Sequence, residues 1–381
     1  YIFFLHSKVL SVRAYRWCRE RIKRGLIVLL SVMMKGSGYE RGKAHGQALK
    51  TQIHKAYQEL CAPIDLPPAQ KTRYVNDFLE KLHKNFPDMV REVEGIATGS
   101  DLAVDQIGEL VLWEELKAIA SQVSKESSCT AIAFTHTPDG PVVGKTSDIE
   151  HFQQPYYVLE YIEPDTGYPL LSMGKVGSTK TEIGINQEGL CVATGSLLPC
   201  DDGEAGIERM TLARIVLQVA SNVDEAIALI SCFNLIRLGL YFLLVDASGK
   251  ACVVEKGIAH QGFRFPDHNG ILFATNFYMA PAMRKYMDRS AFYYQNALER
   301  YVTLLNIANS SLPQEGFKGM QKVLRDHSFA GPICAHFEQL GLCSLFAYIV
   351  LPEERKMMIA DGYPCQVTFQ EFGFRSFTGG S

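Results

Sequence analysis

The sequence contains no Cys-x-x-Cys pair and no Cys/His group at zinc-finger spacing, although ten cysteines are scattered over its 381 residues. The usual sequence signs of a zinc module or a dithiol redox centre are missing, so neither a metal nor a resident cofactor is expected. No Gly-rich phosphate loop is present: Gly36-x-Gly38 precedes a helical stretch but lacks the rest of a nucleotide fingerprint. No sign of charge dominates, and a formal net charge of −3 argues against nucleic acid or an anionic membrane as partner. No apolar run reaches the roughly 20 residues that cross a bilayer, which argues against stable membrane insertion. Repeats, low-complexity stretches and long linkers are also absent. With 47% hydrophobic and 21% charged residues the composition is that of an ordinary globular chain, so function has to be sought in a local site.

The chain opens with Tyr1 rather than Met, as a processed or partial product does. Over residues 8–24 every charged side chain except Glu20 is basic, and an apolar run follows from Leu26 to Met34. That order imitates a secretory signal, but no small-residue cleavage site follows in Lys35-Gly36-Ser37-Gly38. A buried strand is the expectation for the run, with a targeting segment as the alternative. Without a clear signal, reduced thiols in a cytoplasm are expected.

Residues 36–125 read as helical. A helix is expected from Tyr39 to Leu60, a second from Pro67-Pro68 to about Phe86, a third opened by Pro87-Asp88 and broken at Gly99-Ser100-Asp101, and a fourth from Asp105 to Ala120. The texture changes at Cys129. Short apolar strands at Thr130–Thr135 and Val142–Thr146 flank Pro138-Asp139-Gly140, which has the turn chemistry of a hairpin. Further strands alternate with two pairs of helices, one near 207–230 and one near 289–325. Strands joined mainly by hairpins, with helices in blocks, argue for an α+β fold with antiparallel sheets.

Cys129 opens the first strand of that hairpin. A thiol is the strongest side-chain nucleophile near neutrality once its proton is removed, and an α-amine, titrating near pH 8, is a competent base for it. A small buried hydrophobe is the ordinary role for such a cysteine. Asp148, at the end of the return strand, would lie near Cys129 and could hold a freed ammonium, or could simply cap a turn. Lys145 would point to the same neighbourhood, lowering the thiol pKa or binding a carboxylate, or could be solvated. Asn276 ends the apolar strand Phe273-Ala274-Thr275-Asn276 and could present its amide to an oxyanion, or cap a loop. His45, His136, His151 and His336 could each pair with a thiol, but none has flanking sequence supporting that role; His336, near Cys334, reads as structural.

From about Ile27 to Phe372 the chain resembles the acyl-coenzyme A:6-aminopenicillanic acid acyltransferase family of N-terminal nucleophile (Ntn) hydrolases, related to the choloylglycine hydrolases. The resemblance is carried by Gly36-Ser37-Gly38-Tyr39-Glu40-Arg41-Gly42 with His45-Gly46, by Cys129-Thr130, and by Lys145-Thr146-Ser147-Asp148. It continues in Gly184-Ile185-Asn186-Gln187-Glu188-Gly189-Leu190, in Ala274-Thr275-Asn276 and in Ala360-Asp361-Gly362-Tyr363-Pro364-Cys365. It implies an αββα sandwich of two antiparallel sheets between helical layers, with a helical N-terminal region. It also implies a precursor cut before the cysteine, giving 1–128 as an alpha subunit and 129–381 as the catalytic beta subunit. Cys129 is then the nucleophile, Asp148 contacts its α-amine, and Asn276 lines the oxyanion hole. Lys145 stands where related enzymes often carry arginine, and Ser196 where they often carry a second oxyanion asparagine. Together with Thr130 these two are assigned to substrate binding or oxyanion support. The cut would fall at Ser128–Cys129, where glycine commonly precedes the cysteine, and Thr146-Ser147 replaces an Asn-Trp pair.

These readings imply a cysteine-dependent amide-bond hydrolase or acyltransferase working through a thioester on small N-acyl amides. An acyl-CoA would be a co-substrate rather than a cofactor. The partners are a small molecule, the two fragments of the chain and, in a homo-oligomer, further copies. An uncut cysteine acyltransferase or thioesterase, and a non-catalytic binding protein on the same fold, are the rival readings.

Overall fold

A computed structural model of the chain describes residues 29–120, 128–198, 201, 206–287, 292–329, 331–337 and 342–376. The basic stretch at 8–24 and the beginning of the apolar run after it lie outside these residues. The run's described end forms strand β1 (Ser31–Gly36), displaced toward the C-terminus from the expected Leu26–Met34.

The helical region follows its sequence signals closely at the helix starts. Ser37 caps α1 (Gly38–Ala48), accepting from the Glu40 N–H while the Glu40 carboxylate accepts from the Ser37 N–H. Helix α2 (Lys50–Ala56) follows, and then α3 (Pro68–Asn85) and α4 (Pro87–Ser100) open on proline, whose missing N–H costs nothing at a first helical position. Asp101 takes the left-handed conformation (φ 59°) that ends α4. Two expected helices are each divided. The stretch 39–60 bends at Leu49 (φ −116°, ψ 16°) and finishes in a π turn, Tyr57–Cys61. The stretch 105–120 bends at Leu112 into α5 (Val104–Val111) and α6 (Trp113–Ile119). At both bends the hydrogen bonds run on, Leu49 N–H to His45 O and Leu112 N–H to Gly108 O, so side-chain periodicity carries no sign of the break.

Two sheets follow. The first contains β1, β4 (Tyr157–Pro164), β5 (Leu170–Lys175), β6 (Ile183–Asn186), β7 (Cys191–Leu197), β8 (Gly239–Val245), β9 (Ala251–Lys256) and β10 (Gln261–Arg264), in that spatial order. The second runs β11 (Ile271–Ala274), β2 (Ser128–Phe134), β3 (Val142–Ile149), β13 (Leu342–Leu351), β14 (Lys356–Asp361) and β15 (Gln370–Gly373), with β12 (His336–Phe337) paired to β13. All pairings are antiparallel except β1 with β4.

Three apolar clusters define four layers. Ala131, Ala133 and Val143 of the second sheet pack with Leu159, Leu171 and Leu243 of the first, between the sheets. Val158, Val192 and Phe242 on the far face of the first sheet pack under α1–α6, α7 (Arg209–Val219) and α8 (Val223–Ser231). Ile132, Phe134 and Val142 on the far face of the second meet α9 (Phe292–Ala308) and α10 (Gly316–Val323). The order α, β, β, α is the expected sandwich. Because both sheet faces are covered, the strands read as continuous apolar runs rather than alternating ones. No described helix is long and apolar enough to cross a membrane.

The Gly36–Gly46 segment builds a close helix contact. A Cβ on Gly42 would stand 1.9 Å from Glu92 O, and one on Gly95 of α4 would stand 2.2 Å from Tyr39 O, so α1 and α4 meet backbone to backbone. The fully buried Arg41 locks the pair, donating to Gly36 O at 2.7 Å, Asp88 Oδ2 at 2.7 Å and Glu92 Oε2 at 2.9 Å. His45 Nε2 accepts from the Gly177 N–H at 2.8 Å, tying α1 to the loop after β5. Gly42→Leu is expected to cost roughly 3 kcal/mol and to lower Tm by about 5 °C or more. Lys43→Leu, on the exposed side of the same turn, should move Tm by no more than about 1 °C. Equal shifts in a thermal melt would show that the glycine contact is not what holds the helices.

Candidate active site

The β2–β3 hairpin positions the site. Its turn is Pro138-Asp139-Gly140, with Gly140 at φ 71° and the Asp139 N–H donating to Thr137 Oγ1. The register pairs Ser128 with Asp148, Cys129 with Ser147, Thr130 with Thr146 and Ala131 with Lys145. Side chains alternate, so Cys129, Lys145 and Ser147 share the face toward the first sheet with Ala131 and Val143. Thr130, Thr146 and Asp148 occupy the opposite face, toward α9 and α10.

On the inner face a buried polar group surrounds the thiol. Lys145 Nζ lies 3.7 Å from Cys129 Sγ and donates to Ser147 Oγ at 2.7 Å and Glu182 Oε1 at 2.6 Å. Ser147 Oγ also donates to Glu182 Oε1. Burial opposes both charges, but the pair outweighs it: Glu182 is held below the ordinary carboxylate value, and Lys145 above its own by the charges of Cys129 and Glu182. Burial pushes the Cys129 thiol up; the Lys145 ammonium opposes this and the Glu182 carboxylate reinforces it. Beside the thiol is a cavity of about 20 Å³ lined by Tyr157, Lys175, Thr194, Ser196, Met210 and others, room for about one water.

Asn276 holds the backbone of the cysteine. Its Oδ1 accepts the Cys129 N–H at 2.8 Å and its Nδ2 donates to Ser196 O at 2.9 Å, bridging the sheets. The fully buried Arg300 of α9 donates through Nη1 to Cys129 O at 2.6 Å and Thr130 Oγ1 at 2.7 Å, and through Nη2 to Asn276 Oδ1 at 2.9 Å. Ser128 Oγ and Arg300 Nε both donate to Asn296 Oδ1. The Ser196 hydroxyl accepts from Arg209 Nη1 at 3.2 Å.

Asp148 faces away from the thiol. Its Oδ1 accepts from Ser344 Oγ at 2.6 Å, and burial raises its pKa to about 6 against the neighbouring Arg300 charge. Cys129, Lys145, Asn276 and Ser196 therefore converge on the inner side, while Thr130 and Asp148 flank the same strand from the outer side. Glu182 and Arg300 have no counterpart in the sequence reading, and Ser147 appeared there only within the Thr146-Ser147 pair, with no partner assigned. Glu182 immediately precedes an apolar strand, and Arg300 stands in an ordinary amphipathic helix, Ala297-Leu298-Glu299-Arg300-Tyr301; only the three-dimensional contact distinguishes either from a surface charge. Among the described residues no histidine hydrogen-bonds Cys129. His45 serves Gly177, and His336 lies near Cys334, His327 and Cys365.

The family described as acyl-coenzyme A:6-aminopenicillanic acid acyl-transferase matches residues 135–360, more than half of the chain. No curated protein sequence matches. Among solved structures, penicillin V acylase from Agrobacterium tumefaciens is similar at 15% identity and TM-score 0.40, over 65% of this chain and 86% of that one. A mutant of conjugated bile acid hydrolase from Clostridium perfringens is similar at 14% identity and TM-score 0.42, over 66% and 95%. A Caenorhabditis elegans ortholog of N-acylethanolamine-hydrolyzing acid amidase is similar at 12% identity and TM-score 0.41, over 63% and 98%.

Removing one member of the Lys145–Glu182 pair strands the other charge in the interior. Lys145→Met and Glu182→Gln should each cost about 3–5 kcal/mol in urea unfolding, and the double variant should recover at least about 2 kcal/mol. Strictly additive losses would rule out coupling. The raised Asp148 pKa has the opposite consequence to a stabilised carboxylate. Its contribution to stability is complete below the unfolded value of 3.8 and is lost as pH rises through the folded value of about 6. The stability of Asp148→Asn relative to the parent should therefore rise between about pH 4 and about pH 7. A difference that stays flat over that window would contradict the assignment.

Proposed function

The chain belongs to the acyl-coenzyme A:6-aminopenicillanic acid acyl-transferase family, and from that premise we propose that it is a cysteine amide hydrolase or acyltransferase activated by cleavage before Cys129. The observation that carries the reading is the environment of one residue. Cys129 opens a central strand with its nitrogen held by Asn276 and its thiol turned into the intersheet cavity beside Lys145. Any buried strand N–H needs an acceptor, so what sets this cysteine apart from core packing is the polar, charged wall that Lys145 and Glu182 form around its thiol.

In the first step Cys129 Sγ attacks the Ser128 carbonyl carbon, the peptide C–N bond breaks and its nitrogen gains a proton. Water then hydrolyses the Ser128 thioester, leaving a carboxylate on Ser128 and a free α-amine on Cys129. Residues 1–128 and 129–381 become two subunits of one fold. Asn276 Oδ1 already accepts from this nitrogen and continues to orient the amine. Asp148 lies directly opposite Ser128 in the register, so separation of Ser128 from Cys129 exposes the new ammonium to its carboxylate.

In the mature site the α-amine takes the thiol proton, and Sγ attacks the carbonyl carbon of an N-acyl amide. One Asn276 N–H is committed to Ser196 O; the second is left for the tetrahedral oxyanion. The protonated amine returns its proton to the leaving nitrogen, and a thioester remains on Cys129. Water resolves it in hydrolysis, and an amine in acyl transfer. Lys145, neutralised by Glu182, positions the thiol rather than acting as its base. The cavity beside the thiol has room for about one water, so an acyl group requires it to enlarge.

Intact-mass analysis checks the reading. The parent is expected as two fragments, the larger beginning at Cys129, and Cys129→Ala as one chain of 42.5 kDa. Turnover of a panel of N-acyl amides should fall at least about 1,000-fold in Cys129→Ala. An uncut parent with full amidase activity would leave the α-amine mechanism without its base.

A further inference from the structure

Four side chains that the cysteine chemistry does not use converge at the edge of the second sheet. His327, Cys334, His336 and Cys365 each offer one ligand atom, and these atoms all lie within 4.8 Å of one another. Three of them surround a single nitrogen: His327 Nε2, Cys334 Sγ and Cys365 Sγ each stand 3.3 Å from His336 Nε2. One imidazole nitrogen either donates or accepts along one direction, so it cannot satisfy three such neighbours by hydrogen bonding. A cation between them can. A tetrahedral zinc ion with Zn–N of about 2.0 Å and Zn–S of about 2.3 Å sets its nitrogens roughly 3.3 Å apart and nitrogen and sulfur roughly 3.5 Å apart. The distance between the two imidazole nitrogens equals that edge, and the two sulfurs stand within about 0.2 Å of theirs from His336 Nε2.

We propose that His327, Cys334, His336 and Cys365 form a structural site of two thiolates and two imidazoles for a divalent zinc-class cation. Such a donor set favours zinc over the hard cations calcium and magnesium, which take oxygen ligands. All four positions belong to protein side chains, so the site is closed and its role is to hold segments together. The ligands come from three such segments. His327 lies in the loop after α10, Cys334 and His336 share one side of an extended strand entry, and Cys365 follows β14. Cys334 N–H donates to Asp326 O at 2.9 Å, closing the first loop onto the second. The His336 ring stacks on Tyr363 with centroids 4.0 Å apart and planes 11° from parallel, which orients its Nε2.

The spacing explains why the sequence hides this site. His327 to Cys334 and Cys334-x-His336 match no finger pattern, and Cys365 is supplied from another strand connection. The site also reaches the catalytic hairpin through one residue. Ala335, between two ligands, donates its N–H to Ser344 Oγ at 2.8 Å and accepts from the Ser344 N–H at 3.0 Å. Ser344 Oγ in turn donates to Asp148 Oδ1 at 2.6 Å. A cation here fixes the segment that places Ser344 against Asp148. It touches no reacting atom.

The full chain, stripped with chelator under reducing conditions, is titrated with Zn2+ and in parallel with Co2+. One equivalent of Zn2+ by elemental analysis, and a Co2+ adduct with the intense visible absorption and thiolate charge-transfer bands of a tetrahedral site, are expected. Cys365→Ser and the surface variant His327→Ala should each weaken Zn2+ binding by at least about 100-fold. Cys232→Ser, at an exposed cysteine outside the cluster, should leave it unchanged. Since His327→Ala alters only an exposed side chain, lost binding with an unchanged circular-dichroism spectrum supports the site independently of folding. Failure to bind either ion, binding indifferent to both ligand variants, or a purified chain carrying a Cys334–Cys365 disulfide would overturn the proposal. Because metal content is read without any substrate, the result stands apart from whether Cys129 is cleaved.

Discussion

The register of β2 against β3 is the constraint on which the rest of the site depends. With Cys129 opposite Ser147, the thiol, Lys145 and Ser147 share the intersheet face, while Thr130, Thr146 and Asp148 share the other. A slip of one residue would exchange these sets, delivering the thiol to α9 and α10 and burying Asp148 between the sheets. The apolar neighbours forbid the slip. Ala131 and Ala133 are small enough for the closely packed intersheet layer, whereas Ile132 and Phe134 fill the wider space under the helices. Packing far from the chemistry thus decides which face the nucleophile sees.

The intersheet layer is unusual for what it tolerates around that face. Lys145 is fully buried, and Glu182 reaches it from the other sheet. A second group of charges lies nearby, where Lys180 approaches Glu114 at 3.0 Å and Glu208 at 3.6 Å, and Arg209 approaches Glu114 at 3.3 Å. Burying charges is costly unless they are paired and hydrogen-bonded. Pairs that span two layers also define how the layers sit relative to each other, because a shift of either sheet would separate opposite charges in a medium with little water. The polar layer therefore orients the sheets around the cavity as well as lining it.

The element types and the hairpin were legible because they rest on local signals: proline at helix starts, turn chemistry at 138–140, and apolar runs whose length suits strands; the four-layer order was implied only by the family resemblance. The bends at Leu49 and Leu112 were not, since hydrogen bonding and periodicity continue through them. The parallel strand β1 was placed too early because its pairing with β4 depends on residues far away in sequence. At the site, Cys129, Lys145 and Asn276 were legible from their positions at strand ends, and the structure brings all three to one point. Asp148 was expected beside the cysteine; it pairs across the hairpin with the adjacent Ser128 and points to the other face, a consequence of alternation that spacing alone does not express. Glu182, Arg300 and the His/Cys cluster are each assembled from distant segments, and a linear pattern has no term for them.

The electrostatics bear on how the thiol could be activated. A lysine 3.7 Å from a cysteine would ordinarily stabilise the thiolate, but Lys145 is closer to Glu182 than to Cys129. At the thiol burial is the largest influence and favours the neutral form; Lys145 and Arg300 oppose it, while Glu182 and Asp148 reinforce it. No histidine among the described residues hydrogen-bonds it, so the uncut chain offers the thiol no imidazole base for turnover of an amide; in the proposed cleavage itself the thiol proton passes to the departing Cys129 nitrogen. Under the proposed mechanism cleavage supplies the missing base on the residue itself, since an α-amine titrates near pH 8 and needs no additional side chain. The base for turnover would then arise only with cleavage, which leaves the precursor competent to cut itself but not to turn over an amide substrate.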